Sequence, residues 1–372
     1  MKKRWLGILL ALCLLVCLAP AAMAKNNRTD IPDNSMEAVY VSSALKTDQD
    51  IPVGNDVTGN GMSDSPFASL YLAVDKVKSD GTIYLLSDLT STKYAFVDSK
   101  SITINGQGHS ITRGENFTAE VDGGRGGYNP AMIEVANNST LTLTNITLDD
   151  AYSTKGNKFL EQKTGENKGD NSQKVQDAII AAYSGGGTII LDDGTTLKNF
   201  GGMSAIRVGG QYNSNPNLPV TSQVIMKSGS QIIDDLNSGD RKGGVAAIWS
   251  QGGNVVMEAG ASITDIDGRA IYLEDGGNAT VNGSIQNITA NGVMTSDPAK
   301  GSTPGEGASG GFGGIAVAAL GNSHFTLESA GSISDIKTDP YDAKGGDVAI
   351  WLAPGSFVME ENSRMENIQT IG

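Results

Sequence analysis

Three pairs of adjacent aspartates are the residues of this chain best suited to acid–base chemistry. They are Asp149-Asp150, Asp192-Asp193 and Asp234-Asp235. Hydrolysis of a glycosidic bond needs two carboxyl groups facing the same bond, one to protonate the leaving oxygen and one to act as base or nucleophile. The three pairs are therefore candidate catalytic residues, although no segment of the sequence by itself brings two pairs together.

A second set of residues suits binding. Five short segments carry an isoleucine that we expect to point inward, so period-two alternation along a strand turns the following residue outward. Arg207 is the only arginine that this pattern projects outward. An outward row of aromatic and arginine side chains suits stacking on sugar rings or contact with a protein. The outward residues are Arg207, Trp249, Tyr272, Ala316 and Trp351, following Ile206, Ile248, Ile271, Ile315 and Ile350.

We call Arg207, Trp249, Tyr272 and Trp351 the aromatic strip and predict that it binds ligand. The alternative is that inserted segments fold over the strip and bury it as packing. These insertions are polar and separate the repeats, and in repeat proteins they commonly form loops on a binding face. They span residues 123–130, 152–177, 209–219, 237–244, 290–313 and 337–346.

A third set is a recurring four-residue unit of apolar, any, Asp or Asn, apolar. We expect its Asp and Asn side chains to bond nearby backbone at turns. A calcium site is the alternative, although no compact calcium-loop spacing is present; we otherwise expect no cofactor and no metal. The polar members are Asn199, Asp235, Asp265, Asn287, Asp335 and Asn367, with Asn145 as an earlier relative, and the unit around Asp235 is aligned from Ile233.

These units belong to a longer repeat, whose clearest copy covers residues 243–267. Three short apolar segments in that copy are separated by Gly-rich corners. Self-similarity at a period of about 20 to 45 residues indicates a repeat architecture in which stacked units share a continuous core. Short runs rich in Val, Ile and Thr, bounded by Gly, Asn and Asp, predict strands rather than helices. The sequence therefore predicts an all-β solenoid.

One helix is expected before the first repeats. Pro66 is placed in its first turn, a position that Pro favours. Leu70, Ala73, Val74 and Val77 then fall on one face at helical spacing. Such a helix would cover the open end of the stack, which otherwise invites aggregation.

The segments at 101–113 and 141–148 carry a specific resemblance. Reading SITINGQGHSITR and LTLTNITL, they resemble coils of the pectate-lyase-like right-handed parallel β-helix superfamily, and more narrowly the β-helical regions of bacterial surface adhesins. The resemblance implies three short strands per coil over residues 39–372. It implies no single activity, because that superfamily contains both polysaccharide-cleaving enzymes and non-catalytic adhesins.

Polygalacturonase-type members of that superfamily would supply a Gly-His-Gly motif after the acidic pair. The near match here, Gly108-His109-Ser110, precedes the pairs. We therefore interpret His109 as part of a turn rather than as a catalytic group.

The N-terminus resembles a cleaved secretory signal. Residues 1–24 contain a basic head, an apolar run and an Ala-Met-Ala site, and residues 25–38 are expected to be a disordered leader. Both cysteines, Cys13 and Cys17, lie in the signal. Its removal takes away three positive charges and no negative ones, changing the net charge from −14 to −17. Such an acidic chain makes nucleic acid and anionic membranes poor partners.

Together these observations predict a non-catalytic exported bacterial protein, secreted or at the cell surface. We expect an adhesin-like or stalk module that binds a glycan or a host or bacterial surface protein through the aromatic strip and the inserted loops, with no membrane insertion after signal cleavage. The alternative is a secreted polysaccharide lyase or glycoside hydrolase that uses the aspartate pairs, and a structural spacer is a third possibility. We expect either further domains after residue 372 or pairing of the last coil with another chain; the alternative is a complete protein whose cap the sequence does not reveal.

Overall fold

The structure is a computed structural model of the 372-residue chain. It describes residues 30–43, 51–118, 131–151, 178–182, 185–200, 204–209, 222–233, 246–289, 315–338 and 349–370. The expected signal peptide and almost all of the inserted segments lie outside these residues. Within them the chain is all-β apart from one short helix, and every pairing between its strands is parallel.

The strands lie in three rows, in which each strand pairs with its counterpart in the preceding and following repeats. Row A contains Ala95–Asp98 (β4), Ile133–Ala136 (β7), Ala178–Ala182 (β10), Ser204–Gly209 (β13), Ala246–Gln251 (β16), Arg269–Glu274 (β19), and the first parts of Ile315–Leu327 (β22) and Ile350–Met359 (β24).

Row B is joined to row A through β22, so that the two rows form one sheet of 16 strands. Besides the second parts of β22 and β24, row B contains Met36–Val41 (β1), Val77–Leu85 (β2), Ser101–Asn105 (β5), Ser139–Thr144 (β8), Gly187–Leu191 (β11), Ser222–Met226 (β14), Asn254–Met257 (β17) and Asn278–Val281 (β20).

Row C is a separate sheet of nine strands. It contains Leu89–Lys93 (β3), Ser110–Thr118 (β6), Thr147–Asp149 (β9), Thr196–Lys198 (β12), Gln231–Ile233 (β15), Ser262–Asp267 (β18), Ser284–Thr289 (β21), Ser332–Thr338 (β23) and Arg364–Thr370 (β25). In the repeats, a strand of row A is followed along the chain by one of row B and one of row C. This arrangement is consistent with a β-helix-like fold.

One hydrophobic core draws on all three rows. Ile248 of row A, Val255 of row B and Ile263 of row C belong to the same buried cluster and are fully or almost fully buried. In row B the buried positions alternate with more exposed ones, as in β11 and β14, whereas in row C the corner at Asn287 separates the buried Ile285 and Ile288 of β21 by two residues. The alternation in row B is the period expected of strands with one buried face, so the inward residues of that row follow from the sequence.

The predicted helix is present but begins later than expected. Helix α1 spans Leu70–Lys76, and the hydroxyl of Ser69 caps it by accepting a hydrogen bond from the Leu72 backbone N–H at 3.3 Å. The placement of Pro66 in the first turn was therefore wrong, because Pro66 lies four residues before the first helical residue. The helix is instead capped by Ser69, whose side-chain oxygen satisfies a backbone N–H that has no partner within the helix. Leu70, Ala73 and Val74 are buried in the core as predicted. Val77 is buried too, but it was wrongly placed on the helix, since the helix ends at Lys76 and Val77 begins β2.

Candidate functional site

The register of row A aligns the aromatic strip along neighbouring strands. Arg207 pairs with Trp249, and Trp249 pairs with Tyr272. The next position in line is Ala318, which pairs with both Tyr272 and Trp351. The expected inward facing of Ile315, and with it the alignment of Ala316, was wrong. Ile315 pairs with Arg269 and belongs to a second apolar cluster outside the main core, whereas Val317 is the core residue that pairs with Ile271.

Side chains of the aromatic strip contact one another. The guanidinium of Arg207 lies 4.2 Å from the centre of the Trp249 ring system, a distance suited to a cation–π interaction. The Trp249 and Tyr272 rings are 6.2 Å apart and tilted by 55°. Each of these two donors also bonds the last residue of the next strand. Arg207 donates to Gln251 Oε1 of β16 at 2.8 Å, and Trp249 Nε1 donates to Glu274 Oε1 of β19 at 2.9 Å.

Arg269 is a further member of this face that the sequence reasoning missed. Its guanidinium lies 5.2 Å from the centre of the Tyr272 ring, and only 3% of the residue is exposed. Burial lowers the pKa of Arg269, and the neighbouring Tyr272 opposes that change. The expectation that Arg207 is the only outward arginine was therefore wrong. The sequence could have revealed this position, because the two consecutive core residues Ala270 and Ile271 leave both Arg269 and Tyr272 on the outer side of the strand.

The strip is largely buried, although it lies outside the main core. Trp249 is 6% exposed and Tyr272 is 1% exposed, and both belong to a second apolar cluster with Ala246, Ile315 and Ala318. Trp351 packs against this cluster and remains half-buried, as does Arg207. The two ends of the strip are thus more accessible than its middle. Ligand binding by the strip stays a prediction.

The aspartate pairs occupy different rows and contact groups of the chain itself. Asp149 ends β9 of row C and Asp150 follows it, whereas Asp192 and Asp193 follow β11 of row B. Asp234 and Asp235 lie outside the described residues. Asp150 is buried and forms an ion pair with Arg113.

The other described carboxylates also have partners or are exposed. Asp149 Oδ1 accepts hydrogen bonds from the Ala151 backbone N–H at 2.7 Å and from Asn199 Nδ2 at 2.9 Å. Asp192 lies 3.3 Å from Lys227 Nζ, and Asp193 is exposed. These partners hold the carboxylates in the scaffold, and the geometry assigns none of them to a shared cleft.

The recurring Asp and Asn positions form corners within row C. Their backbone is left-handed, with φ between 52° and 56°, a conformation that Asn and Asp tolerate better than most residues. The described members are Asn199, Asp265, Asn287, Asp335 and Asn367.

Neighbouring corner residues bond to one another through their side chains. The side-chain amide of Asn287 donates to the carboxylate of Asp265, and Asn367 Nδ2 donates to Asp335 Oδ1 at 3.1 Å. An amide beside a carboxylate avoids the repulsion of two stacked carboxylates. Among the described residues, no group of three or more His, Cys, Asp or Glu side chains is placed to hold a metal ion.

Two alignments of this unit need correction. Asn145 also has a left-handed backbone, with φ 49°, but it lies at another corner, between rows B and C, where its N–H donates to the Asp193 carbonyl at 2.9 Å. Ile232, not Ile233, pairs with Ile263. Both errors arise because apolar residues recur at neighbouring positions. His109 is in a turn as expected, since its N–H donates to the Gly106 carbonyl at 2.8 Å.

No helix within the described residues is long and apolar enough to cross a membrane. Comparisons of the chain with protein-family models, with curated proteins and with solved structures gave no match.

Proposed function

We propose that this chain is a non-catalytic binding module of an exported bacterial surface protein. In this proposal the three rows are the three strands of each coil of a right-handed parallel β-helix of the pectate-lyase-like type. Support for that fold comes from the recurring order of rows A, B and C and from the single core that they share.

The observation that carries the functional proposal is the contrast between the two candidate sites. The buried or hydrogen-bonded carboxylates Asp149, Asp150 and Asp192 contact residues of neighbouring strands. The aromatic strip instead builds an apolar and cationic layer outside the main core. Trp, Tyr and Arg are the residues that most often dominate binding energy at protein surfaces.

The burial of the strip defines how it would bind. Trp249 and Tyr272 are too enclosed to offer open ring faces to a sugar, and their 55° tilt does not present a flat platform. The ligand therefore contacts the ends of the strip, at Arg207 and Trp351. The two central rings hold these ends in position through the cation–π contact and the second apolar cluster.

The test is retention of the protein on immobilised plant, mucosal and bacterial polysaccharides, with the same polysaccharides assayed for new reducing ends. We expect retention on at least one glycan without cleavage. Trp351→Ala should reduce retention while the far-UV CD spectrum stays unchanged. Tyr84→Ala is the matched control, because Tyr84 is a half-exposed aromatic residue of row B.

Three results contradict the proposal in different ways. Cleavage that is lost in Asp149→Asn or Asp192→Asn would make the chain a polysaccharide lyase or hydrolase. Retention that is the same in wild type and Trp351→Ala would remove the strip from the binding surface. Absence of retention on every glycan would favour a spacer, or a protein ligand to be sought by cell-surface binding.

A further inference from the structure

The side chain of Lys100 joins two segments that are distant in sequence. Lys100 directly precedes β5, and its ammonium donates to the Val77 carbonyl at 3.1 Å and to the carbonyl of Val74 in α1. Its other acceptor is a side chain, because Asn34 Oδ1 lies 2.7 Å from Nζ. Asn34 comes two residues before β1 and 66 residues before Lys100. An amine and a carboxamide therefore meet across β2, which lies between β1 and β5 in row B.

Backbone hydrogen bonds hold both partners in place. The Lys100 N–H donates to Ser139 Oγ at 3.2 Å, and the Lys100 carbonyl accepts from the Thr140 N–H at 3.1 Å. The Asn34 N–H donates to the Asp75 carbonyl at 2.9 Å. The carbon bonded to Asn34 Oδ1 thus lies close to the roughly 3–3.5 Å at which two groups held in one structure react efficiently.

The surroundings of Lys100 favour its nucleophilic form. Burial lowers the pKa of the Lys100 ammonium, while the charges of Asp75, Asp33 and Asp98 oppose that change. A lowered pKa increases the share of neutral amine, which is the form of lysine that attacks a carbonyl carbon. A carboxylate beside the reacting groups can also move a proton from one nitrogen to another. Asp75 has the largest effect of the three carboxylates on Lys100.

We propose that Lys100 and Asn34 form an intramolecular isopeptide bond. The neutral amine of Lys100 attacks Asn34 Cγ, so that the Nζ–Cγ bond forms and the Cγ–Nδ2 bond breaks. One proton passes from Nζ to Nδ2, with the Asp75 carboxyl group as its carrier, and Nδ2 leaves as ammonia. The step is an acyl transfer without oxidation or reduction, and its atoms balance without a further reactant. Asn34 is exposed, so the ammonia is released directly to solvent.

The bond provides a covalent link of a kind that cysteines cannot supply here. Cys13 and Cys17, the only cysteines of the chain, both lie in the expected signal. The isopeptide bond closes a loop between residues that are 66 positions apart, and closing a loop reduces the conformational freedom of the unfolded chain. It also retains β1 beside β2 and β5 when this part of the fold opens. The inference is independent of ligand binding by the aromatic strip.

The competing interpretation is that Lys100 keeps its ammonium and only caps the carbonyls at the end of α1. Intact-mass spectrometry of the purified full chain distinguishes the two. We expect the wild-type mass to be lower, by one ammonia, than the mass calculated for the recovered chain. Trypsin cuts after free lysine, so it should leave Lys100 uncut and release a branched peptide that contains both Lys100 and Asn34.

Two variants remove one reactant each. Lys100→Arg keeps a cation that donates to carbonyls but lacks the amine, and Asn34→Gly removes the carboxamide while tolerating the left-handed backbone at this position, φ 55°. Both should show the full calculated mass and no branched peptide, with far-UV CD spectra like that of wild type. Lys78→Arg is the matched control, because Lys78 bonds Glu37 Oε1 at 2.7 Å near the same segment, and it should still lose ammonia.

The proton carrier is tested separately. Asp75→Asn should slow the loss of ammonia after purification, since an amide does not relay a proton as a carboxyl group does. The rate is measured by intact mass over time in wild type and variant. An unchanged rate would overturn the assignment of Asp75 as the carrier.

Three outcomes would overturn the bond itself. The first is a folded wild-type chain that keeps its full calculated mass. The second is a loss of ammonia that persists in Lys100→Arg, which would indicate that Asn34 has cyclised onto its own backbone. The third is a branched peptide that contains Lys76 instead of Lys100, since Lys76 Nζ lies 2.5 Å from the carboxylate of Asp33.

Discussion

Arg113 and Asp150 form an ion pair inside the fold, with 0% and 2% of their side chains exposed. Arg113 Nη2 also donates to the Ala178 carbonyl at 2.9 Å, and its guanidinium lies 4.5 Å from the centre of the Phe117 ring. One arginine therefore connects β6, the residue that follows β9 and the first residue of β10. This position makes Asp150 part of the scaffold, although the sequence presents it as a candidate catalytic acid.

Asp150→Ala should destabilise the protein strongly. The substitution leaves the Arg113 charge buried without its carboxylate, and breaking a buried ion pair in this way costs about 3–5 kcal/mol. The measurement is the midpoint and slope of urea unfolding, followed by far-UV CD, for wild type and variant.

Asp192→Ala is the matched control for that prediction. Asp192 pairs with Lys227 at 3.3 Å, but more than a third of each side chain is exposed, so the loss should stay within about 1 kcal/mol. The double variant Arg113→Met/Asp150→Leu should recover most of the stability, because no charge is left buried. Equal losses for Asp150→Ala and Asp192→Ala would contradict the buried pair.

The corner at Asn287 should respond differently to Gly and to Ala. Both substitutions remove the amide that donates to Asp265. Ala must in addition adopt the left-handed backbone, φ 52°, which costs a residue with a Cβ roughly 1–2 kcal/mol, whereas Gly adopts it freely. We therefore expect Asn287→Ala to be less stable than Asn287→Gly by about 1 kcal/mol in thermal or urea unfolding. A Gly variant that is the less stable of the two would show that backbone conformation is not what Asn287 provides.

The inward residues of row B were predictable from the sequence, whereas the register of row A and the alignment of β15 in row C were not. Alternation correctly predicts which side chains point into the core where every second residue is a core residue, as in β11 and β14. Row A breaks alternation with pairs of consecutive core residues, such as Ala316-Val317. A small and a branched side chain together fill the core there, and the preceding Ile315 packs outside the core, so an isoleucine does not by itself mark the inward position.

The contacts of the candidate site depend on residues distant in sequence, which local patterns do not reveal. Arg113 and Asp150 are 37 residues apart, and no spacing rule links them. The burial of Trp249 and Tyr272 is a second example. Their outward facing followed from alternation, but their enclosure in a second cluster required the three-dimensional arrangement.

The pKa of Glu37 should lie below that of an ordinary glutamate. The Lys78 ammonium donates a hydrogen bond to Glu37 Oε1 at 2.7 Å, and its charge further favours the carboxylate. A lowered folded-state pKa means that this contact contributes stability above the ordinary carboxyl pKa and loses it as the pH falls through the folded value. Lys78→Met should raise the pKa of the Glu37 carboxyl towards that of an ordinary glutamate, and NMR titration of Glu37 measures this change. Lys93→Met is the control, and a Glu37 pKa that is the same in wild type and Lys78→Met would contradict the contact.

The two tryptophans of the aromatic strip should differ in their access to solvent. Trp249 is 6% exposed within the second apolar cluster, whereas Trp351 is half-buried at its edge. In a Trp5→Phe background, Trp351→Phe leaves only Trp249 to fluoresce, and Trp249→Phe leaves only Trp351. Acrylamide, a neutral quencher, reaches a ring only where solvent does, so the protein that retains Trp351 should show the larger quenching constant. Equal constants in two folded variants would mean that the middle of the strip is as open as its end, and ligand contact would then extend to Trp249 and Tyr272.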